Sequence, residues 1–239
     1  MHAVILAGGL GTRLGPLVRD LPKPMVEIAG RPFLEYLLIQ LRGQGYRKVV
    51  LCTGHLGELV MTHFGRGESM GLELRYSQEP EARGTAGAIK FAEPLLSGDR
   101  WLVMNGDSFF DIDIGLAVHS HVGSGAMATI ALARVDNARR YGTVRLGEGE
   151  RIEEFSEKTA DADAGSMING GIYVLERTIL DLIAPDRPVS LEREIFPSLV
   201  GHGLHGVAFQ GAFVDIGVPE DYLRLHRSPG PLLRVAARS

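Results

Sequence analysis

The stretch Leu6-Ala7-Gly8-Gly9-Leu10-Gly11-Thr12-Arg13-Leu14 places three glycines and an arginine directly after a short apolar run that opens at Ala3. Without Cβ atoms, Gly8, Gly9 and Gly11 let successive backbone N–H groups point at one anion, and Arg13 can add a two-pronged guanidinium contact. Ligands of open α/β sheets sit at the carboxyl ends of strands, which is where this loop falls. Two familiar glycine loops fail on spacing. A dinucleotide fingerprint counted from Gly9 requires glycine at position 14, which is Leu14, and a P-loop requires Lys then Ser or Thr where this chain has Thr12-Arg13. The plain alternative is a tight strand-to-helix turn. Three glycines with Thr12 and Arg13 together favour a phosphate cradle over that turn.

Outward from the loop, short β-branched runs alternate with amphipathic stretches: Ala3 to Leu6, Phe33 to Leu41, Lys48 to Cys52 and Leu59 to Phe64. Such alternation describes βαβ units. Pro32 suits the first turn of a helix carrying Phe33, Leu34, Leu37, Leu38 and Leu41, and Gly43 with Gly45 marks its end. A strand at Leu72 to Tyr76, a helix from about Ala86 to Leu96 and a buried strand at Trp101 to Met104 continue the pattern, which predicts a parallel sheet with helices on both faces. After Asp107, strand candidates at Met127 to Ala133, Thr143 to Leu146, Ile152 to Phe155 and Ile172 to Leu175 are separated by turn residues, so the sheet is expected to become mixed. The fold class is α/β, a Rossmann-like three-layer α/β/α arrangement with a mostly parallel, partly mixed central sheet.

The 239 residues are 45% hydrophobic and 23% charged, a balance that supports one sizeable core. No internal repeat or Pro/Ser-rich linker divides the chain before Ser228. Residues 1–227 therefore read as a single domain, and residues 228–239, opened by Ser228-Pro229-Gly230-Pro231, as a basic tail expected to fray. The net charge of -4 is interspersed rather than blocked, which argues against nucleic acid as a partner and makes any phosphate site local. Cys52, the single cysteine, excludes an intramolecular disulfide, fits a reducing compartment and reads as core packing. The opening residues run straight into a strand with no charged leader, and no apolar stretch suffices to cross a bilayer, so a cytoplasmic location without membrane contact is expected. The composition leaves room for a homo-oligomer.

In Leu21-Pro22-Lys23-Pro24-Met25, two prolines flank one lysine and are expected to hold the local backbone extended, aiming the ammonium group. A lysine so held suits a phosphate oxygen, where it offsets charge developing in a transition state. Alone, Pro-Lys-Pro is an exposed loop with a solvated lysine; close to the glycine loop it reads as part of the same site. Taken together, LAGGLGTRL and PKP resemble the sugar nucleotidyltransferases, the nucleoside-diphosphate-sugar pyrophosphorylases. The likeness continues through Glu79-Pro80, Gly84-Thr85-Ala86-Gly87, Asn105-Gly106-Asp107, Tyr141-Gly142, Glu157-Lys158, Asn169-Gly170-Gly171-Ile172-Tyr173 and Asp215-Ile216-Gly217, and covers nearly the whole chain.

That resemblance implies an enzyme that joins a sugar 1-phosphate to a nucleoside triphosphate, releases pyrophosphate and uses Mg²⁺. It implies nucleotide contacts from Leu6, Ala7, Gly8, Gly9, Gly11, Thr12, Arg13, Glu79, Gly84 and Thr85, with catalytic roles for Arg13, Lys23 and Asp107. It further implies sugar-phosphate contacts from Tyr141, Gly142, Glu157, Lys158 and Asn169, and a metal held by Asp107 and Asp215. Some of this has independent chemical ground: a carboxylate at the strand end of Asn105-Gly106-Asp107 is the hard oxygen ligand Mg²⁺ prefers. Without the resemblance, Asp107 and Asp215 are turn or cap residues, Glu157-Lys158 a surface ion pair, and Tyr141-Gly142 and Asn169 ordinary turns.

Glu79 bears on the base. A carboxylate could accept from both the ring N–H and the exocyclic amine of guanine, whereas uracil and thymine offer one donor there, so GTP is favoured. Thymidylyl and uridylyl members of the resembled family often carry glutamine at the matching position, although some uridylyl members carry glutamate. Asp111-Ile112-Asp113 is similar to the metal motif of nucleotide-sugar glycosyltransferases, a rival class that lacks the glycine loop and Pro-Lys-Pro; both aspartates read as loop or capping residues. A sensor that binds a nucleotide sugar without turnover is a third class. The eight histidines show no metal spacing, and His119 and His121 are expected on an exposed helix.

Overall fold

A computed structural model describes residues 1–9, 20–135, 138, 141–156 and 167–238. The chain opens with β1 (His2–Leu6), passes a small hairpin of β2 (Glu27–Ile28) and β3 (Arg31–Pro32), and enters α1 (Phe33–Gly43). Then follow β4 (Lys48–Thr53), α2 (Gly57–Phe64), β5 (Glu73–Gln78), α3 (Gly84–Ala92) and β6 (Arg100–Asn105). Strands β5, β4, β1 and β6 lie side by side in parallel, so Thr53, Leu6 and Asn105 end on one edge of the sheet.

Alternate residues of these strands feed two cores, because successive side chains of a strand point to opposite faces. Ala3, Ile5, Val49 and Leu51 pack with Leu34, Leu37 and Leu41 of α1, whereas Val4, Val50, Cys52 and Val103 pack with Ala86 and Ile89 of α3. Both faces are thus covered, as nearly all-apolar parallel strands require.

The second half supplies β7 (Ser108–Phe110), α4 (Ile114–Ser124), β8 (Ala128–Arg134), β9 (Thr143–Leu146), β10 (Ile152–Ser156) and β11 (Met167–Glu176). It closes with α5 (Phe196–Leu199), β12 (Leu204–Phe209), β13 (Phe213–Asp215), α6 (Pro219–Arg227) and α7 (Gly230–Ala237). β11 runs antiparallel beside β6, β8 and β9, while β12 adds to β8 in parallel, giving a nine-stranded sheet among the described residues. The expected change from a parallel to a mixed sheet after Asp107 is present, and the helices flank the sheet as anticipated.

Three local expectations need correcting. β11 starts five residues before Ile172, because Asn169-Gly170-Gly171 is carried inside the strand as an irregularity in its pairing with β8. Residues 230–237 do not fray: they form α7, whose Leu232 and Val235 are buried in the same core as α1. His119 is exposed on α4, but His121 is buried, with Nδ1 2.8 Å from Thr129 Oγ1 and Nε2 3.1 Å from Glu176 Oε1. Asp113 does cap α4, accepting from the Gly115 N–H at 2.8 Å, and Asp111 pairs with Arg238 at 3.2 Å. Among the described residues no helix is long and apolar enough to cross a membrane.

Candidate active site

The first half of the glycine loop, Leu6 to Gly9, leaves the carboxyl end of β1 and borders a cavity of about 370 Å³ together with Lys23, Glu79, Thr85 and Asp107. Gly11, Thr12 and Arg13 lie outside the described residues. Close backbone approach sets the cavity floor. Gly106 donates its N–H to the Leu6 carbonyl at 2.9 Å, and a Cβ there would stand 2.7 Å from that same oxygen, so only glycine lets the ends of β6 and β1 meet.

Glu79 forms one wall. It is buried, accepts from the Arg83 N–H at 3.0 Å, and its carboxyl is held above the usual range by burial, with Arg83 pulling the other way. Cys52, expected to be core packing, is fully buried on the same cavity wall, and burial pushes its thiol so far up that it stays protonated.

Lys23 differs from the extended course expected for it. Pro22 is extended, but Lys23–Met25 form a 3-10 turn closed by the Met25 N–H to the Pro22 carbonyl at 2.8 Å and the Val26 N–H to the Lys23 carbonyl at 3.2 Å. Pro24 is tolerated because the first turn of a helix leaves its N–H groups unpaired anyway. The lysine is aimed all the same: its Nζ lies 2.5 Å from Asp107 Oδ2, with the lysine side chain 11% exposed and the aspartate 43%. The cation is packed into the wall while the acid faces the cavity.

Asp215 reaches this pair from far along the chain because β13 pairs antiparallel with β7, setting Asp215 opposite Ser108, while the Ile216 N–H bonds the Asp107 carbonyl at 3.0 Å. Burial first, and then the charge of Asp107, push its carboxyl up to about 6, against the pull of Lys23 and of the Gly217 N–H. Two carboxylates under mutual strain form a set a divalent cation would relieve. Among the described residues no three His, Cys, Asp or Glu side chains converge as a cage. The fit is therefore to an ion that takes one or two carboxylates and completes its shell with phosphate and water. Asn105, two residues before Asp107, borders the same cavity, and its Oδ1 is buried without a partner.

A second cavity of about 400 Å³ adjoins the first and shares Gly84, Thr85, Asn105 and Asp107 with it. Tyr141, Gly142, Asn169 and Asp215 border this one. All described site residues inferred from the sequence thus fall on the two cavities; Glu157 and Lys158 lie outside the described residues. Gly84, at φ +73°, sits so close to the 189 segment that a Cβ would lie 2.5 Å from the Val189 carbonyl oxygen. That carbonyl accepts from the Ala86 and Gly87 N–H groups, docking the start of α3 against the segment that carries Ser190, Glu192 and Arg193.

Sequence reasoning missed those three cavity residues, along with Ser108. Ser190 and Glu192 stand at the start of a π-helical turn, Leu191–Ile195. Such turns occur often at functional sites, yet nothing in Ser-Leu-Glu-Arg-Glu-Ile distinguishes one from an ordinary helix start.

Comparison with known proteins agrees with this geometry. Residues 2–229 match the family described as Nucleotidyl transferase. The chain is 38% identical to a mannose-1-phosphate guanylyltransferase of Mycobacterium tuberculosis, across 98% of this chain and 67% of that protein. It is 36% identical to a D-glycero-alpha-D-manno-heptose 1-phosphate guanylyltransferase of Campylobacter jejuni, across 93% of this chain and 97% of that protein. Among solved structures, HddC from Yersinia pseudotuberculosis complexed with GMP-PN superposes with a TM-score of 0.83 at 30% identity, covering 95% of this chain and 98% of that one. The chain belongs to the nucleotidyl transferase family and is a sugar-phosphate nucleotidyltransferase.

Proposed function

We propose that the chain transfers the guanylyl group of GTP to D-glycero-α-D-manno-heptose 1-phosphate, releasing pyrophosphate. One observation carries the reaction type. A cavity floored by a glycine loop and a cavity lined by hydrogen-bonding side chains meet at Asp107, so the two substrates would face each other across one acid pair. The small size, the stretch Asn105 to Asp111 and Glu79 support the heptose guanylyltransferase branch, as does the relative from Campylobacter jejuni matched over nearly its full length. Mannose 1-phosphate is the second acceptor to consider, supported by the relative from Mycobacterium tuberculosis.

In this reaction a phosphate oxygen of the sugar 1-phosphate attacks the α-phosphorus of GTP in line, and the bond from that phosphorus to the bridging oxygen of pyrophosphate breaks. Positioning and charge neutralisation do most of the work in such transfers. Gly8, Gly9, Gly11, Thr12 and Arg13 would hold the triphosphate, and Arg13 with Lys23 would offset the charge that accumulates on the leaving pyrophosphate. Asp107 and Asp215 would hold Mg²⁺, which when bound supplies charge neutralisation across phosphate oxygens. Glu79 would accept from the guanine edge, with Gly84 and Thr85 along the same wall, while Tyr141, Gly142, Asn169, Glu157 and Lys158 would take the sugar phosphate. A nucleoside triphosphate substrate agrees with the cytoplasmic location expected from the sequence.

The test is pyrophosphate release with Mg²⁺, each nucleoside triphosphate in turn and a panel of sugar 1-phosphates. GTP with the heptose 1-phosphate should give the highest kcat/KM. Tight binding of a nucleotide sugar without turnover would instead identify a sensor, and transfer from a nucleotide sugar to an acceptor would identify a glycosyltransferase.

A further inference from the structure

Arg193 stands in sequence between two glutamates and is paired with neither. Glu192 Oε2 accepts from Thr85 Oγ1 at 2.7 Å and Ser190 Oγ at 2.8 Å, and its Oε1 lies 3.4 Å from the Tyr173 hydroxyl. Glu194 is drawn elsewhere: its Oε1 accepts from the Ser190 N–H at 3.1 Å and its Oε2 pairs with Arg187 at 2.6 Å. Both acids are thereby spent, and among the described residues no carboxylate pairs with the Arg193 guanidinium. The turn that carries it is held firmly. Ser190 Oγ accepts from the Arg193 N–H at 3.2 Å, while Leu191 and Ile195 are buried in the core they share with Ala86 and Ile89 of α3. With those apolar neighbours turned inward, Arg193 is left exposed on the border of the second cavity, beside Ser190 and Glu192.

The charge around it gives the guanidinium a use. Of the described residues on that border, Asp107, Asp215 and Glu192 are acids and Arg193 is the one cation. The described cations of the first cavity are already engaged, Lys23 with Asp107 at 2.5 Å and Arg83 over the Phe91 ring at 4.6 Å from its centroid. A phosphate dianion entering the second cavity therefore meets carboxylates, and an unpaired arginine is the side chain present that can offset them. Its planar fork also matches two phosphate oxygens at once, which a point charge does not. Arg193 borders the second cavity and not the first, so the anion it suits is the acceptor's phosphate rather than the triphosphate.

We propose that Arg193 is a substrate-binding residue that takes the phosphate of the sugar 1-phosphate in the second cavity, and that Glu192 and Glu194 leave it free for this ligand because both are bonded elsewhere. The inference rests on the proposed placement of a sugar 1-phosphate in that cavity. The π-helical turn then has two parts to play: Glu192 ties it to Thr85, on the border of both cavities, and Arg193 meets the incoming anion.

The experiment compares wild type, Arg193→Ala, Arg193→Lys and Arg187→Ala in pyrophosphate release with GTP, Mg²⁺ and mannose 1-phosphate. Arg193→Ala should raise the KM for mannose 1-phosphate at least about tenfold, the loss expected for a charge-assisted contact, with kcat and the KM for GTP changed less than about twofold. Arg193→Lys should recover part of that loss, since it keeps the charge without the fork, and Arg187→Ala should match wild type. A second readout follows charge alone: raising salt from about 50 to about 500 mM should raise the wild-type KM for mannose 1-phosphate several-fold, and Arg193→Ala should lose most of that dependence. An Arg193→Ala protein that melts like wild type and keeps its KM for the sugar phosphate, or whose increase falls on the KM for GTP, would overturn the proposal. If wild type turns over no sugar 1-phosphate, the proposed function fails, and calorimetric titration with mannose 1-phosphate decides the inference by itself. Binding at least about tenfold weaker in Arg193→Ala supports it; equal binding, or none to wild type, refutes it.

Discussion

Replacing Gly84 with alanine probes the joint that holds the two cavities in register. A methyl carbon and a carbonyl oxygen come no closer than roughly 3.3 Å in favourable contacts. The new Cβ would stand 2.5 Å from the Val189 oxygen, so helix and segment must part by roughly 0.8 Å. That separation stretches two hydrogen bonds, from the Ala86 and Gly87 N–H groups at 3.0 and 3.2 Å, each worth about 1 kcal/mol. Alanine also pays about 1 to 2 kcal/mol for the left-handed backbone at φ +73°. Together these give about 3 to 4 kcal/mol, or about 10 °C of melting temperature for a chain of this length. Gly98→Ala isolates the backbone contribution, because Gly98 has φ +85° and nothing within 4 Å of its Cβ position. Urea unfolding of both variants gives the comparison. Gly84→Ala should lose about 2 kcal/mol more than Gly98→Ala, and equal losses would show that the contact with Val189 is not tight.

Asp215→Asn should raise the melting temperature of the metal-free protein at pH 7.5 and leave it unchanged near pH 4. The folded state holds the Asp215 proton more tightly than the unfolded chain does, so the ionised acid is destabilising, increasingly so from pH 3.8 to about 6. Mg²⁺ should stabilise wild type and not this variant; a variant that melts lower in chelator at pH 7.5 would contradict the assignment. Lys23→Ala should lower kcat by roughly 10²-fold or more, measured by pyrophosphate release, with a smaller change in the KM for GTP. For His121, burial lowers the folded pKa below the usual value, so wild-type stability should fall as pH drops below 6.5. In thermal melts from pH 7.5 to 5.5, His121→Gln should show a shallower decline; parallel curves would refute the role of that ring.

Much of the first half of this fold is written locally. Alternating runs from Ala3 to Met104 carry both the strand and the helix period, and the glycine loop and Pro-Lys-Pro sit at the strand ends where a ligand belongs. Lys23 was legible as a cation in the site even though its backbone is a turn, because composition and neighbourhood, rather than backbone shape, set its role. What pairs across long stretches was not legible. No local pattern brings Asp215 to Asp107, since that depends on three-residue strands too short to show a period, and only family resemblance suggested it. Glu192 escaped for a related reason: its partners Thr85 and Tyr173 lie 107 and 19 residues away, and their convergence is a product of tertiary packing. His121 was misplaced because, two residues from the exposed His119, it looks equally exposed until Thr129 and Glu176 are known to receive it.

The pairing of β13 with β7 has a consequence for how the enzyme comes into being. A nascent chain has its glycine loop and Asp107 early, but the second acid of the pair is missing until residue 215 has left the ribosome. Half-made protein therefore lacks the Asp107–Asp215 pair however far its first half has folded, and that corner of the cavity takes shape only near the end of synthesis.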